Sequence, residues 1–274
     1  MSRRATEQLG TFTSAAALCL LAGAIGCGHL LATRRLGRVL RQFPRKYLFG
    51  CGSLVMAYTV LLYTAIGWST SPRDIVAVTV ANYLWPGLTL VFSVPLLGQR
   101  TRAWLLVIGM TVSTIGVACA VGAYDGDGNG GLRIECRGPA MAAVLAAVAW
   151  GLYSNLSRRW ARDIDGGAMF LFLAAAGGCL LLIRLVVSEP SSWSARTIAE
   201  IGYLAIFPTL LACTFWDRAV RCGNMMLLAA VSYLIPLLSV WTSSVYLGLS
   251  IRPIQWLAAL LVVCGAICCK LAMR

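Results

Sequence analysis

The sequence predicts an all-α polytopic membrane protein, an inverted-repeat helix bundle with nine transmembrane helices in the chain. Three observations lead there. Hydrophobic residues make up 59% of the chain and charged residues only 12%, and the mean hydropathy is +0.79, whereas about a quarter of a soluble domain is charged. The apolar residues fall in runs of about 20, the length of helix that crosses a bilayer core roughly 30 Å thick. The charges fall between those runs. A water-soluble fold of 274 residues has no interior large enough to hide so much apolar side chain, so the excess faces lipid.

In chain order the runs cover approximately residues 10–32, 47–67, 74–97, 103–122, 139–157, 167–187, 198–218, 224–248 and 253–272. The first is rich in Ala and Leu and carries the single histidine, His29, near its far end, where a packed or interfacial ring is the ordinary reading. The second carries Tyr58. Near the middle of the third stands Asn82-Tyr83-Leu84-Trp85-Pro86, the fifth holds Trp150 and Tyr153, and the eighth holds Ser232-Tyr233-Leu234-Ile235-Pro236 and Trp241. Trp68, Trp104, Trp193 and Trp256 lie near span ends, where amphipathic indoles anchor. Ten of the eleven cysteines fall in or beside apolar runs, without CxxC spacing or a neighbouring histidine, and read as small packing residues.

A net charge of +13 would point to nucleic acid in a soluble protein. Here the cations sit in short loops, with no basic stripe interleaved with aromatics, so no nucleic-acid partner is expected; the partner is the lipid bilayer. Cytoplasmic loops retain Lys and Arg. Segments 33–46, 98–102, 157–163 and 217–223, with the C-terminal end, carry fifteen of the 23. The C-terminus is therefore expected in the cytoplasm and, with nine spans, the N-terminus of this chain outside.

The halves echo one another. Asn82 to Pro86 returns as Ser232 to Pro236, Leu97-Gly98 as Leu247-Gly248, and Arg102 as Arg252. Ser2-Arg3-Arg4 matches Ser157-Arg158-Arg159, yet a whole helix precedes the second of these and nothing but Met1 the first. The expectation is a first repeat of four helices (1–122, its first helix missing), a linker loop (123–138) and a second repeat of five (139–274). An odd helix count per full repeat makes the second copy enter from the opposite side, the inverted arrangement found in many transporters. Within the linker, Asp125, Asp127, Asn129 and Gly130 resemble a calcium loop, but Cys136 stands where a bidentate Glu is needed.

A carrier needs polar or aromatic groups at mid-membrane, and a proline there frees a backbone carbonyl to line a cavity. Pro86 and Pro236 meet that requirement at equivalent positions. Asn82, a polar side chain inside an apolar helix, must bond another helix or face a cavity. Tyr83, Trp85 and Tyr233 place aromatic bodies with polar handles beside the prolines. Tyr58, Trp150, Tyr153 and Trp241 suit either stacking against a solute or core packing.

All ten carboxylates fall in loops or within a turn or two of a helix end. Ion-coupled carriers usually place an acid at mid-membrane, so facilitated movement is expected, and a lipophilic cation is a less apt cargo than a neutral zwitterion. No HExxH and no mid-membrane pair of Asp is present, and one His cannot both ligate a metal and do acid–base work, so an intramembrane enzyme is disfavoured. Lys46 and Lys270, the two lysines, lie at the surface and exclude a retinal Schiff base. No cofactor motif is present. A channel, a multidrug exporter and an exporter of other neutral amino acids stay open, as do oligomeric state, exact substrate and net direction.

The Tyr-Leu-Trp-Pro helix followed by Leu97-Gly98-Gln99-Arg100, its partner Ser232 to Pro236, and the helix of Trp150 and Tyr153 together resemble the EamA-type branch of the drug/metabolite transporter superfamily. Asn82 to Pro86 with Gly98-Gln99 is most similar to the aromatic amino acid exporters of that branch. The resemblance implies a 5+5 helix, two-repeat carrier of the bacterial inner membrane that exports Phe, Tyr and Trp.

Overall fold

The computed structural model describes residues 6, 8–70, 72–122, 137–164, 166–189, 191–232, 234, 235, 238 and 253–272. All elements among the described residues are helical. In chain order they are α1 (Thr11–Ala32), α2 (Leu36–Gln42), a π-helical turn (Tyr47–Cys51) running into α3 (Gly52–Gly67), α4 (Pro72–Asn82), α5 (Trp85–Leu97) and α6 (Ala103–Gly122). Then follow α7 (Arg137–Ala161), α8 (Ala168–Val186), α9 (Ala195–Leu204), a π-helical stretch (Ala205–Leu211) continuing into α10 (Ala212–Cys222), α11 (Met225–Ser232) and α12 (Pro253–Leu271).

Among the described residues six stretches are long and apolar enough to cross a membrane: Thr11–Ala32, Tyr47–Gly67, Ala77–Leu97, Gly138–Ala161, Ala168–Val186 and Ala195–Cys222. Ala103–Gly116 and Trp256–Cys269 are shorter apolar helices. The chain is therefore an all-helical membrane protein. Trp68, Trp104, Trp193 and Trp256 are all exposed at helix ends, as interfacial anchors should be. The sequence-read linker 123–138 lies, but for its last two residues, outside the described residues, and so does the calcium-like pattern within it.

Two compact units form, each drawing helices from both sides of the linker. The first comprises Met1–Gly67 and Leu156–Gly223. Its centre is α1 packed along α8. Small residues on both helices (Ala15, Ala16, Ala22, Ala176) are buried, and this lets backbones approach closely where no water-driven force pushes helices together. Phe12, Cys19 and Leu180 fill the remainder, with Val60 and Tyr63 of α3 against them.

Both ends of this unit carry polar clamps. Gly10, the residue before α1, has no side chain to cap the helix. Glu189 does so from 178 residues away, accepting from Thr11 N at 2.9 Å, Phe12 N at 3.1 Å and Thr13 N at 3.0 Å. At the other end Asp217 and Arg221 form a buried ion pair. Here the structure departs from the sequence reading of a loop over 217–223: α10 runs on to Cys222. Arg221, counted among the loop cations, is buried in it. The preceding π-helical stretch has a local cause. Pro208 has no N–H to give the Leu204 carbonyl, and the Thr209 hydroxyl donates to that carbonyl instead, at 2.9 Å.

The second unit comprises Trp68–Asn155 and Asn224–Arg274. Its core is α6 against α12, so close at Gly109 that a Cβ there would lie 2.7 Å from the Gly265 carbonyl. Leu90 of α5 joins Leu106, Cys269 and Ala272 in the apolar cluster at one end. Gly98, at φ 66, closes α5 in the left-handed conformation that side-chain-bearing residues avoid.

Candidate substrate-binding site

The site is built on a break in the third apolar run. Pro86 has no N–H, and its ring collides with the carbonyl four residues back, that of Asn82. The helical ladder stops there. Helix α4 ends at Asn82, Leu84 N closes a tight turn onto the Ala81 carbonyl at 3.2 Å, and α5 restarts as Leu88 N donates to Leu84 at 2.9 Å. Pro86 thus stands in the first turn of α5, where a missing N–H leaves nothing unpaired. Residues 77–97 are nonetheless one apolar stretch, so the break falls within the span. The sequence placed Pro86 near mid-helix; the structure turns that single helix into two.

Asn82 sits at the break. Its Oδ1 is buried and has no hydrogen-bond partner among the described residues. An unpaired buried acceptor costs about 1–3 kcal/mol, which a donor placed against it recovers. Trp85 and Pro86 are buried beside it in sequence and Tyr83 is half-buried.

Helix α7 brings the second group. Trp150 and Tyr153, three residues apart, share one helix face. Their ring centroids are 5.2 Å apart at 46°, inside the range where aromatic quadrupoles attract. Helices α5 and α7 meet at Gly151, where a Cβ would lie 3.2 Å from Thr89 N. Asn155 secures this crossing: its Nδ2 donates to the Thr89 and Gly151 carbonyls, both at 2.9 Å. Its Oδ1, like that of Asn82, is buried and unpartnered. The second unit therefore holds two buried amide oxygens without a partner among the described residues, on or beside the helical segments that carry Tyr83, Trp85, Trp150 and Tyr153.

Of the sequence-derived candidates, Asn82, Tyr83, Trp85, Pro86, Trp150 and Tyr153 fall in this unit, and Trp150 with Tyr153 are in direct contact. Tyr58 lies half-buried on α3 of the first unit. Tyr233, Pro236 and Trp241 lie outside the described residues. Asn155 was missed, although the rule that singled out Asn82, an amide inside an apolar run, applies to it equally.

The first unit's buried polar cluster was missed as well. Asp217 Oδ1 accepts from Tyr47 OH at 3.1 Å and Ser157 Oγ at 3.2 Å, while Oδ2 accepts from Arg221 Nη2 at 2.8 Å. Arg221 also donates to the Ala161 and Ile164 carbonyls, tying down the chain where α7 ends. These bonds join α7, α10 and the π-helical turn at 47–51, so the cluster acts as a clamp. Among the described residues no group of three or more His, Cys, Asp or Glu is placed to hold a metal ion.

Apolar spans of membrane length make the chain a polytopic membrane protein, one span being broken by a proline beside a buried amide oxygen that has no partner among the described residues. A family model described as the EamA-like transporter family matches residues 138–269. The Aromatic amino acid exporter YddG of Escherichia coli K12 is 28% identical over 280 residues, covering 99% of this chain and 91% of that protein. Its namesake from Ancylobacter novellus is 30% identical over 87% of this chain and 80% of its own. The Uncharacterized inner membrane transporter YedA of Escherichia coli K12 is 25% identical over 89% and 74%. A solved crystal structure superposes with a TM-score of 0.82 at 27% identity, covering 99% of this chain and 91% of that one. The chain belongs to the EamA-like transporter family, and it is a transporter, not an enzyme.

Proposed function

We propose that this transporter exports aromatic amino acids, Phe, Tyr and Trp, across the bacterial inner membrane by alternating access and without ion coupling. The observation that carries the reading is the Asn82 Oδ1 at the break within the span, buried and without a partner among the described residues. An ammonium group has only donors to offer, and an amide oxygen only accepts. A helix that starts inside the span presents the positive end of its dipole to the accompanying carboxylate. Trp85, Tyr83 and the Trp150–Tyr153 pair suit the aromatic ring. The names of the relatives support the same cargo.

Uncoupled movement is supported by the engagement of the buried acids: Asp217 pairs with Arg221, Glu200 with Arg196, and Asp74 accepts from Thr70. None adjoins Asn82 in the chain. The same reading takes the nine runs as inverted repeats of the 5+5 family pattern, with Tyr233, Pro236 and Trp241 as the second copy's contribution, Tyr58 as a further lining residue and the C-terminus in the cytoplasm.

The test is uptake of labelled phenylalanine or tryptophan into liposomes carrying the full chain. Saturable uptake, competed by the other aromatic amino acids and lost in Asn82→Ala and Trp85→Ala, supports it. Uptake of a lipophilic cation instead favours a multidrug exporter. Uphill movement driven by a pH gradient overturns the uncoupled mode, and unitary currents in a planar bilayer overturn alternating access.

A further inference from the structure

Residues 33–46 join α1 to α3 and contain six cations: Arg34, Arg35, Arg38, Arg41, Arg45 and Lys46. All six are exposed. No Asp or Glu occurs anywhere between Glu7 and Asp74, so the segment has no counter-charge of its own. The acids that the rest of the unit brings toward this end are engaged elsewhere, Asp217 with Arg221 and Asp163 with Arg162; Asp165 lies outside the described residues. Lys46 stands over the Trp160 ring at 5.9 Å. The five arginine side chains have no hydrogen-bond or ion-pair partner among the described residues.

The segment is fixed in place, and at a definite depth. Spans 11–32 and 47–67 flank it on either side, which sets it at the membrane boundary. Val39 and Phe43 are buried against the unit and hold α2 to it. Leu31, Leu40 and Phe49, by contrast, are exposed alongside the cations. Exposed apolar side chains interspersed with unpaired guanidinium groups suit an acyl layer topped by phosphates, and they ill suit open water.

Arg34 adds a detail. Helix α1 ends in a Schellman-type turn, with Arg34 N donating to Leu31 at 3.0 Å and Arg35 N to Leu30 at 2.8 Å. Arg34 takes the left-handed position at φ 53, where glycine is the unstrained residue. A cation stands there in spite of the strain.

We infer that residues 33–46 are a binding surface for anionic phospholipid headgroups, with Arg34, Arg35, Arg38, Arg41 and Arg45 as phosphate-binding groups and Leu31, Leu40 and Phe49 entering the acyl layer. A topology signal alone needs only the number of charges. It does not need an ordered α2 anchored by Val39 and Phe43, with Leu40 left exposed between the arginines. The inference uses the chain's place in a membrane and is independent of what it transports.

The test is titration of the detergent-purified full chain with phosphatidylglycerol or phosphatidylcholine, counting bound lipids by native mass spectrometry. Wild type should retain phosphatidylglycerol over phosphatidylcholine. Since each cation near an anionic surface strengthens attraction roughly fivefold, R38Q/R41Q should weaken phosphatidylglycerol binding by roughly tenfold or more. R38K/R41K should keep most of it, and R100Q/R102Q should leave it unchanged. Equal retention of the two lipids by wild type, or of phosphatidylglycerol by wild type and R38Q/R41Q, would overturn the inference. Should R38Q/R41Q fail to fold, salt decides on the wild type alone: at about 1 M, where the screening length is about 3 Å, bound phosphatidylglycerol should be largely lost, and retention unaffected by salt overturns the inference.

Discussion

Arg221 Nη2 lies 2.8 Å from Asp217 Oδ2, and both side chains are almost wholly shielded, at 1% and 2% exposure. Tyr47 and Ser157 also donate to Asp217, Arg221 also donates to the carbonyls of Ala161 and Ile164, and the Phe43 ring covers the guanidinium at 5.7 Å. Neither charge has water to fall back on. Arg221→Met should therefore cost about 3–5 kcal/mol, because it strands a buried carboxylate. The double variant Asp217→Leu/Arg221→Met should recover most of that loss, since an apolar pair of similar volume asks for no partners. Thermal unfolding in detergent reads both. Equal melting temperatures for wild type and Arg221→Met would contradict the burial.

Asn82 and Asn155 should separate transport from stability. Asn82 Oδ1 makes no bond within the described protein, so Asn82→Ala forfeits no hydrogen bond of that oxygen, relieves the cost of an unpaired buried acceptor and should not lower the melting temperature. It should raise the KM for an aromatic amino acid by roughly tenfold to a hundredfold, the worth of a hydrogen bond to a charged donor. Asn155→Ala removes two bonds that fasten α5 to α7 and should lower stability by about 1–3 kcal/mol. Paired measurements of KM and melting temperature on the two variants check the division.

Much of this was legible in the sequence, and the exceptions have causes. The six membrane-length helices among the described residues fall on apolar runs visible in the sequence, because lipid leaves no other place for such runs. Pro86 beside Asn82 announced an irregularity within the third apolar run, because the chemistry of a missing N–H is local. The clamp around Asp217 was not legible: Arg221 is spaced i+4 from Asp217, but Tyr47 and Ser157 arrive from 170 and 60 residues away. Counting charges to orient a membrane protein treats every arginine as a loop residue, and Arg221 satisfies the count while sitting inside a helix. The interleaving of the two compact units was equally hidden, since repeats in the sequence say which segments are alike and not which ones pack.

The meeting of α6 and α12 leaves no room for a methyl group. At Gly109 a Cβ would lie 2.7 Å from the Gly265 carbonyl and 2.8 Å from Cys269 N, both of them backbone atoms that cannot swing aside. Gly109→Ala should therefore push the helices apart and cost about 1–3 kcal/mol, as overpacking does. Gly178, on α8, has nothing within 4 Å of its would-be Cβ. Gly178→Ala should be neutral or slightly stabilising through helix propensity. The contrast in melting temperature between the two variants isolates the close approach from the general effect of replacing glycine.

Glu189 should control the opening of one end of the first unit. The first turn of any helix leaves N–H groups without partners, and Gly10 offers no side chain to meet them. The Glu189 carboxylate takes three of them, together with Thr13 Oγ1 at 3.2 Å. Arg184 supports it from 4.0 Å and also donates to the Glu189 backbone carbonyl at 2.7 Å. Ser192 N donates to the Gln8 carbonyl at 3.0 Å, extending the clasp along residues 8–13. Glu189→Ala removes the shared acceptor of three amides at once, so Thr11, Phe12 and Thr13 should exchange their amide hydrogens roughly tenfold to a hundredfold faster. Amides deeper in α1, held by the Ala and Leu packing against α8, should be unaffected, because such local opening need not involve the core. Glu189→Gln keeps an acceptor oxygen without the charge and should fall between. Hydrogen exchange read residue by residue checks it: uniform acceleration along α1 would mean that the cap supports the whole helix and not its end alone.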